Sequence, residues 1–270
     1  MHELSDHAFA RIAGLMHEAI GISFTPAKRP LIASRLSPRM SRLGIDDFED
    51  YVQLIASRDN AGEFQMAVDL LTTNETYFFR EPAHFELIER ELARARPASV
   101  HVWSAACSFG DEPYSCAMLL ADLQAAGNVG SDWSVLGTDI SDRVLHSAIA
   151  GIVPKDRVRL VPQERLRRHC LRGEGPSEGM VQMSAKLRRH VRFGQINLCA
   201  PIEPLGPFDI VFLRNVLIYF DGPTKQAVID CVLEQLRPGG MFFVGTAEGR
   251  IVSRWPLKQL GPGAYRKAAA

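Results

Sequence analysis

No stretch of the sequence approaches the ~18 consecutive apolar residues that a membrane-spanning helix needs. The longest candidate, from Ile210 to Phe220, is broken by Arg214 and Asn215, so direct insertion into a membrane is not expected. An excess of charge of either sign is also missing: Lys+Arg and Asp+Glu are both 31, a formal net charge of zero. A chain built mainly to neutralise phosphates is strongly basic, so nucleic acid is not an expected partner. The opening Met1-His2-Glu3-Leu4-Ser5-Asp6 carries neither the basic nor the apolar segment of a secretory leader. The five cysteines, at 107, 116, 170, 199 and 231, are odd in number and include no CxxC pair. Neither a disulfide framework nor a metal site is suggested, and reduced thiols in a cytoplasmic protein are the expectation. What remains is ordinary: 270 residues, 46% hydrophobic and 23% charged, enough for one large α/β domain or a small domain plus a medium one.

The first seventy or so residues read as helices only. Phe9, Ile12, Leu15, Met16, Ala19 and Ile20 recur at helical spacing behind Ser5 and Asp6, either of which can cap. Phe48, Tyr51, Val52 and Ile55 repeat the pattern, as do Phe64, Ala67, Val68 and Leu71. From about Val100 strands alternate with helices: strands at 100–104, 133–139, 208–213 and 241–245, the last announced by a Pro238-Gly239-Gly240 turn. The fold expected is α/β, a doubly wound, mainly parallel Rossmann-like sheet behind a small all-helical N-terminal domain. Glycine-rich residues 173–179, followed by short apolar runs, suggest a small antiparallel β-subdomain inserted at about 172–193. The expected division is 1–72 helical domain, 73–97 linker and 98–270 sheet domain.

Polar clusters follow the strands directly: Ser104 to Glu112, Asp139, Asn197 after the 191–193 run, and Arg214-Asn215. In a doubly wound sheet the carboxyl ends of the strands line one crevice, so these distant residues should converge. The first loop has one glycine, Gly110, where a dinucleotide site has G-x-G-x-x-G, and its Asp111 and Glu112 would repel a pyrophosphate. A dehydrogenase is thereby disfavoured. A cofactor without phosphate and with a positive centre suits the loop, and S-adenosylmethionine has both properties. Asp139 is placed to accept hydrogen bonds from ribose hydroxyls, or to cap the helix that follows. The densest signal is Thr72-Thr-Asn-Glu-Thr-Tyr-Phe-Phe-Arg-Glu-Pro-Ala-His-Phe85, where two aromatics and Pro82 would fix the Arg80 guanidinium for bidentate contact with a carboxylate.

Asn74-Glu-Thr-Tyr-Phe-Phe-Arg80, Trp103-Ser-Ala-Ala-Cys-Ser-Phe-Gly-Asp-Glu-Pro-Tyr-Ser115, Thr138-Asp-Ile140 and Arg214-Asn-Val-Leu-Ile-Tyr-Phe-Asp221 together resemble the chemotaxis-receptor glutamate O-methyltransferases of the CheR type. The resemblance runs in order from about residue 10 to residue 250. It implies S-adenosylmethionine as donor, S-adenosylhomocysteine as product and no metal. Glutamate side chains of methyl-accepting receptors would be the acceptors, and the location cytoplasmic, transiently at membrane receptor arrays. Carried over by motif, Asn74, Thr76, Arg80, Glu112, Asp139, Asn197, Leu198, Arg214 and Asn215 would contact the cofactor, with Arg80 and Tyr219 nearest the transferring methyl. The chain departs from the family at Phe109, where a small hydroxyl residue is usual, and at Gly245-Thr-Ala-Glu248, where Gly-His-Ser-Glu is common; no role is assigned to the latter.

Between Ala19 and Ile45 there is no acidic residue and there are five basic ones. Lys28, Arg35, Arg39 and Arg42 fall within roughly 60° on a helical wheel, a face that could steer an acidic receptor helix, although Pro38 would disturb a continuous helix. Gly173, Gly175 and Gly179 resemble the loop by which family members tether a receptor's C-terminal peptide, through strand addition at an edge. Two other readings stand beside the enzyme. One is a weakly catalytic or non-catalytic methyltransferase-like scaffold of a signalling complex, which Phe109 leaves open. The other is a nucleic-acid methyltransferase, against which Arg214-Asn-Val-Leu stands where Asn/Asp-Pro-Pro-Tyr is usual.

Overall fold

The computed structural model describes residues 4–249 and 251–268. Met1, His2 and Glu3, at the start of the stretch read for a leader, lie outside them. Among the described residues no helix is long and apolar enough to cross a membrane. The N-terminal domain is four helices. In α1 (Asp6–Ile20), Ser5 Oγ accepts from the Ala8 amide at 3.0 Å, and the helix stops at Gly21, whose φ of 71° suits glycine. Helix α2 (Arg29–Leu43) runs straight through Pro38, against expectation. Pro38 is exposed, so the carbonyl it leaves unpaired can be hydrated, while Ile32, Leu36 and Met40 hold the other face in the core. Helices α3 (Phe48–Ala56) and α4 (Ala61–Leu71) complete a cluster that buries Ile12, Met16, Tyr51 and Val68.

Helix α5 (Pro82–Ala95) leads into the second domain, with Pro82 in its first turn as the sequence suggests. The chain then continues through β1 (Ser99–Ser104), α6 (Asp111–Ala125), β2 (Asp132–Asp139) and α7 (Asp142–Ala150). Next come β3 (Ile152–Pro154), α8 (Gln163–His169), β4 (Cys170–Arg172), β5 (Met180–Met183), α9 (Ala185–Arg188) and β6 (Val191–Gln195). The last elements are β7 (Phe208–Leu213), α10 (Gly222–Glu234), β8 (Leu236–Val244), β9 (Leu257–Gly261) and β10 (Ala264–Lys267). Seven strands form one sheet in the order β6-β2-β1-β7-β8-β10-β9. The first five are parallel, and β10 and β9 close the edge antiparallel. Because β1 extends one way to β2 and the other way to β7, the order reverses there, and the crevice at their carboxyl ends is the natural ligand position.

Two sequence expectations need correction. The inserted antiparallel sheet is β3-β5-β4, so it begins at Ile152, twenty residues before the expected 172, and its last strand ends at Met183. The 191–193 run belongs instead to β6, which pairs parallel with β2 from Val135↔Val191 to Asp139↔Gln195. A three-residue strand such as β3 is too short to show alternation, which hid the start of the insertion. Pro238-Gly239-Gly240 is not a turn ahead of β8 but an irregularity within it: Leu236 pairs with Phe208, and register resumes at Met241 opposite Ile210. The small sheet is fastened to α6 by Arg165 and Arg168 paired with Asp122, by His169 hydrogen-bonded to the same carboxylate, and by Arg157 paired with the buried Asp111.

Candidate active site

The crevice is a cleft of roughly 1300 Å³, counting its open mouth, and it is walled by both domains. Asn74, Thr76, Arg80, Glu112, Asp139, Asn197, Leu198, Arg214, Asn215 and Tyr219 all line it, although they are spread over 146 positions from residue 74 to residue 219 counted inclusively. Ile20, Ile22, Ser23, Phe24, Lys28 and Leu31 of the helical domain form a wall that no sequence pattern disclosed, because it arises only when the domains dock.

The floor is ordered by a chain of polar contacts. Ser104, at the end of β1, donates to Glu112 Oε1 at 2.7 Å, and Arg214 Nη1 donates to Glu112 Oε2 at 3.0 Å. Arg214 Nη2 also donates to the Arg80 carbonyl at 2.6 Å. With its side chain only 2% exposed, Arg214 fixes both the acid and the linker that carries Arg80. Burial pushes the Glu112 carboxyl up, while Arg214 and Ser104 pull it back. Asp139 accepts from the Ser108 amide at 2.8 Å with one oxygen and from the Ser141 amide at 3.0 Å with the other. Asp139 is not the N-cap of α7, which is Ser141; instead each oxygen bonds a neighbouring turn and keeps a lone pair for a ligand hydroxyl. Burial raises its pKa, against the amides of Ser141, Ser108 and Ile140.

The linker reaches the cleft through strained backbone. Phe79, Glu81, Ser108 and Asn215 have φ of 55°, 57°, 50° and 60°, and all four sit in or beside the lining. Arg80 Nη1 donates to the Glu75 carbonyl at 3.1 Å, and the guanidinium lies 5.7 Å from the Tyr77 ring centre, which leaves most of its donors free. Ser108 Oγ donates to the Asn74 carbonyl at 2.8 Å, tying linker to first loop. Tyr219 closes the turn Leu217–Tyr219, and its carbonyl accepts from the Ser23 amide at 2.9 Å.

Other expected residues have different engagements. Asn197 lines the cleft, but its side chain donates to the Ala19 carbonyl at 2.6 Å and accepts from the Cys199 amide at 3.0 Å, so it staples the domains together. Asp111 is not in the lining; it points inward to Arg157. Phe109 is also outside the lining, its ring flanked by Arg143 at 5.6 Å and Arg157 at 4.8 Å, so the departure at this position does not intrude on the cleft. Lys28 alone of the basic face lines the cleft. Arg35 donates to the carbonyls of Leu71 and Thr72, Arg39 pairs with Glu63 at 2.5 Å, and Arg42 is exposed. Gly175 and Gly179 have φ of 56° and 83°, and a side chain at Gly173 would strike the Ser177 carbonyl. All three glycines are therefore required by the β4–β5 connection itself.

A parallel sheet whose crevice offers carboxylates, apolar walls and a free guanidinium, with no glycine-lined phosphate cradle, defines a nucleoside-sulfonium methyltransferase class of site. Comparison with known proteins is consistent with it. The description "CheR methyltransferase, SAM binding domain" matches residues 74–254, and "CheR methyltransferase, all-alpha domain" matches residues 7–72. The chain is 41% identical over 246 residues to the chemotaxis protein methyltransferase of Escherichia coli, covering 91% of this chain and 85% of that one. It is 37% identical over 265 residues to chemotaxis protein methyltransferase 2 of Pseudomonas aeruginosa, covering 96% and 92%. A chemotaxis protein methyltransferase 2 of Vibrio cholerae is 32% identical over 270 residues, covering 95% and 91%. The chain belongs to the CheR methyltransferase family.

Proposed function

We propose that this protein transfers a methyl group from S-adenosylmethionine to glutamate side chains of chemotaxis receptors, producing glutamate 5-O-methyl esters and S-adenosylhomocysteine. One observation carries the reading: Asn74, Arg80, Glu112, Asp139, Asn215 and Tyr219 share a single cleft between a helical domain and the switch point of the sheet. The residues present suit the cofactor. Glu112 and Asp139 supply acceptors for an amino group and for ribose hydroxyls, and Ile140, Ile196, Leu198 and Val216 supply apolar wall for a purine. When bound, the sulfonium supplies an electrophilic methyl carbon, which removes the need for a strong base. The acceptor is already a carboxylate at neutral pH, since its reference pKa is about 4.3. What this chain contributes is alignment and exclusion of water. Arg80, anchored through its carbonyl by Arg214, orients a carboxylate, and Tyr219 positions an oxygen.

The residue ranges follow the same division of labour: 1–72 for receptor approach, 73–97 for the linker that delivers Arg80, 98–270 for chemistry. The protein acts in the cytoplasm, transiently at receptor arrays. Lys28 and Arg42 steer the acidic methylation helix, and the exposed edge strand β4 takes up a receptor tail peptide, with Gly173, Gly175 and Gly179 shaping its loop. Tyr219→Phe and Arg80→Ala should each lower the rate of tritiated-methyl transfer to receptor fragments by about 10- to 100-fold. S-adenosylhomocysteine affinity, read by calorimetry, should change far less. Equal losses in both would make these residues cofactor ligands only. Cofactor binding with no methyl transfer to any receptor would select the scaffold reading.

A further inference from the structure

Glu248 lies at the end of the segment to which the sequence lent no role, in the turn Thr246–Glu248 just past β8. It is a carboxylate 4% exposed, and among the described residues no cation pairs with its side chain. Its two oxygens accept backbone amides instead: Leu217 donates to Oε1 at 2.7 Å and Gly245 to Oε2 at 2.6 Å. The amides of Asn215 and Val216 also favour its charged form against burial. Asn215 is left-handed at φ 60° and Val216 follows in the right-handed region, so successive N–H groups turn inward as an anion nest. The anion in this nest is the protein's own. Lys225 Nζ locks the same turn from outside by donating to the Glu248 carbonyl at 2.7 Å. Gly245 admits the arrangement because a side chain there would meet Asn215 Nδ2 at 2.6 Å and Glu248 Oε2 at 3.1 Å.

The loop organised in this way carries Asn215, Val216, Tyr219 and Phe220 into the cleft. Buried charged acceptors are retained only where their bonds are made, and removing one acceptor leaves a buried N–H without a partner. We infer that Glu248 is a positioning residue for methyl transfer: its carboxylate, gripping the Leu217 amide with one oxygen and the Gly245 amide with the other, sets the height and direction of Tyr219. The inference rests on the reading of Tyr219 given above.

The test is a double-mutant cycle in the full-length chain with Glu248→Gln, Tyr219→Phe and the pair. Glutamine keeps the shape but presents an NH₂ to one of the two amides, so the loop must shift. A misplacement of ~1 Å in a catalytic group can cost roughly 100-fold. Glu248→Gln should lower kcat by about 10- to 100-fold, with KM for the receptor fragment changed less than about threefold. Adding it to Tyr219→Phe should cost little more than the first change alone, because both act on one group. Glu248→Asp, which keeps the charge but shortens the reach, should recover part of kcat. Full additivity of the two losses, or a Glu248→Gln loss confined to melting temperature with kcat intact, would overturn the inference. If Tyr219→Phe itself leaves kcat unchanged while Glu248→Gln lowers it, the Tyr219 reading fails and the positioning route through Tyr219 fails with it. A loss in Glu248→Gln that is additive with a real Tyr219→Phe loss refutes only the inference.

Discussion

Replacing Arg214 with methionine keeps the stem and removes the guanidinium, which has two consequences that can be separated by pH. Glu112, at 3.0 Å from Arg214, loses the one cation within ion-pair distance among the described residues while its side chain stays 14% exposed. An unpaired buried charge costs about 3–5 kcal/mol. The carboxyl has an escape, because burial already pushes its pKa up and the loss of Arg214 removes the main opposing influence. Taking a proton near pH 7 from an unfolded-state pKa of about 4.3 costs about 3.5 kcal/mol, which caps the penalty. For an acid whose folded pKa lies above its unfolded one, the folded state binds the extra proton, so stability falls as pH rises from the unfolded pKa to the folded one. Between about pH 5.5 and 7 the variant should therefore lose more stability than the wild type, by no more than about 2 kcal/mol, the limit for one proton over that interval. Urea unfolding of both proteins at the two pH values measures this directly. Arg214 also pairs with Glu81 at 3.5 Å, so Arg214→Met/Glu112→Gln should remove the part of the extra pH dependence that belongs to Glu112, and adding Glu81→Gln the rest. If Arg214→Met is equally destabilised at both values, and the second substitution recovers nothing, the Glu112–Arg214 pair is not what holds this floor. The second consequence is independent of pH: the Arg80 carbonyl loses its 2.6 Å donor, so methyl transfer should stay low even where stability is recovered.

The basic face divides into structural and free cations, and this revises how steering is tested. Arg39→Glu strands the 10% exposed Glu63 beside a like charge and should destabilise the helical domain by about 3 kcal/mol in thermal unfolding, whatever the receptor does. Lys28→Glu/Arg42→Glu touches no ion pair in the described residues; it should leave unfolding unchanged and cut the methylation rate at low salt, and a rate indifferent to both charge and salt sinks the steering idea. Gly21→Ala places a side chain at φ 71°, against Cys199 Sγ and 2.9 Å from Thr224 Cγ2, at the seam between domains. Calorimetry should show S-adenosylhomocysteine bound several-fold more weakly, since Ile20 and Ile22 move with that wall; unchanged affinity would mean the helical domain is a bystander to cofactor binding.

The parallel sheet was legible because its central strands announce themselves locally. Residues 100–104, 133–139 and 208–213 are apolar runs with a polar cluster at each carboxyl end, and that grammar alone gathers Glu112, Asp139 and Asn215 into one crevice. What stayed illegible depends on partners far away in the chain. Arg35 and Arg39 read as a charged face on the wheel, yet Glu63 and the end of α4 take them inward. Asn197 matches a cofactor motif, and its amide is nonetheless spent on Ala19, 178 residues away. Asp111 and Glu112 are adjacent and look alike in sequence; the first turn of α6 sends one to Arg157 and the other to Arg214. Zero net charge concealed the same local imbalance.

The two domains meet at the residues that line the cleft, which makes their docking part of the site's energetics. Asn197 holds Ala19, the Tyr219 carbonyl holds Ser23, and Gln65 donates at 3.0 Å to the carbonyl of Ile140, the residue after Asp139. Gln195, at the end of β6, donates to that same carbonyl at 3.0 Å. Further ties join Arg143 to the Asp69 carbonyl, Gln195 to Gln65 and His17 to Asp221, and among the described residues none of these is a buried ion pair. Bonds of this kind, each worth about 1 kcal/mol net, let the seam be tightened by whatever fills the cleft. Linkage is reciprocal: if cofactor binding, by tightening the seam, raises the affinity for a receptor helix, that helix raises cofactor affinity by the same factor. A cleft built across two domains thus allows the presence of the acceptor to be felt by the donor before the methyl group moves.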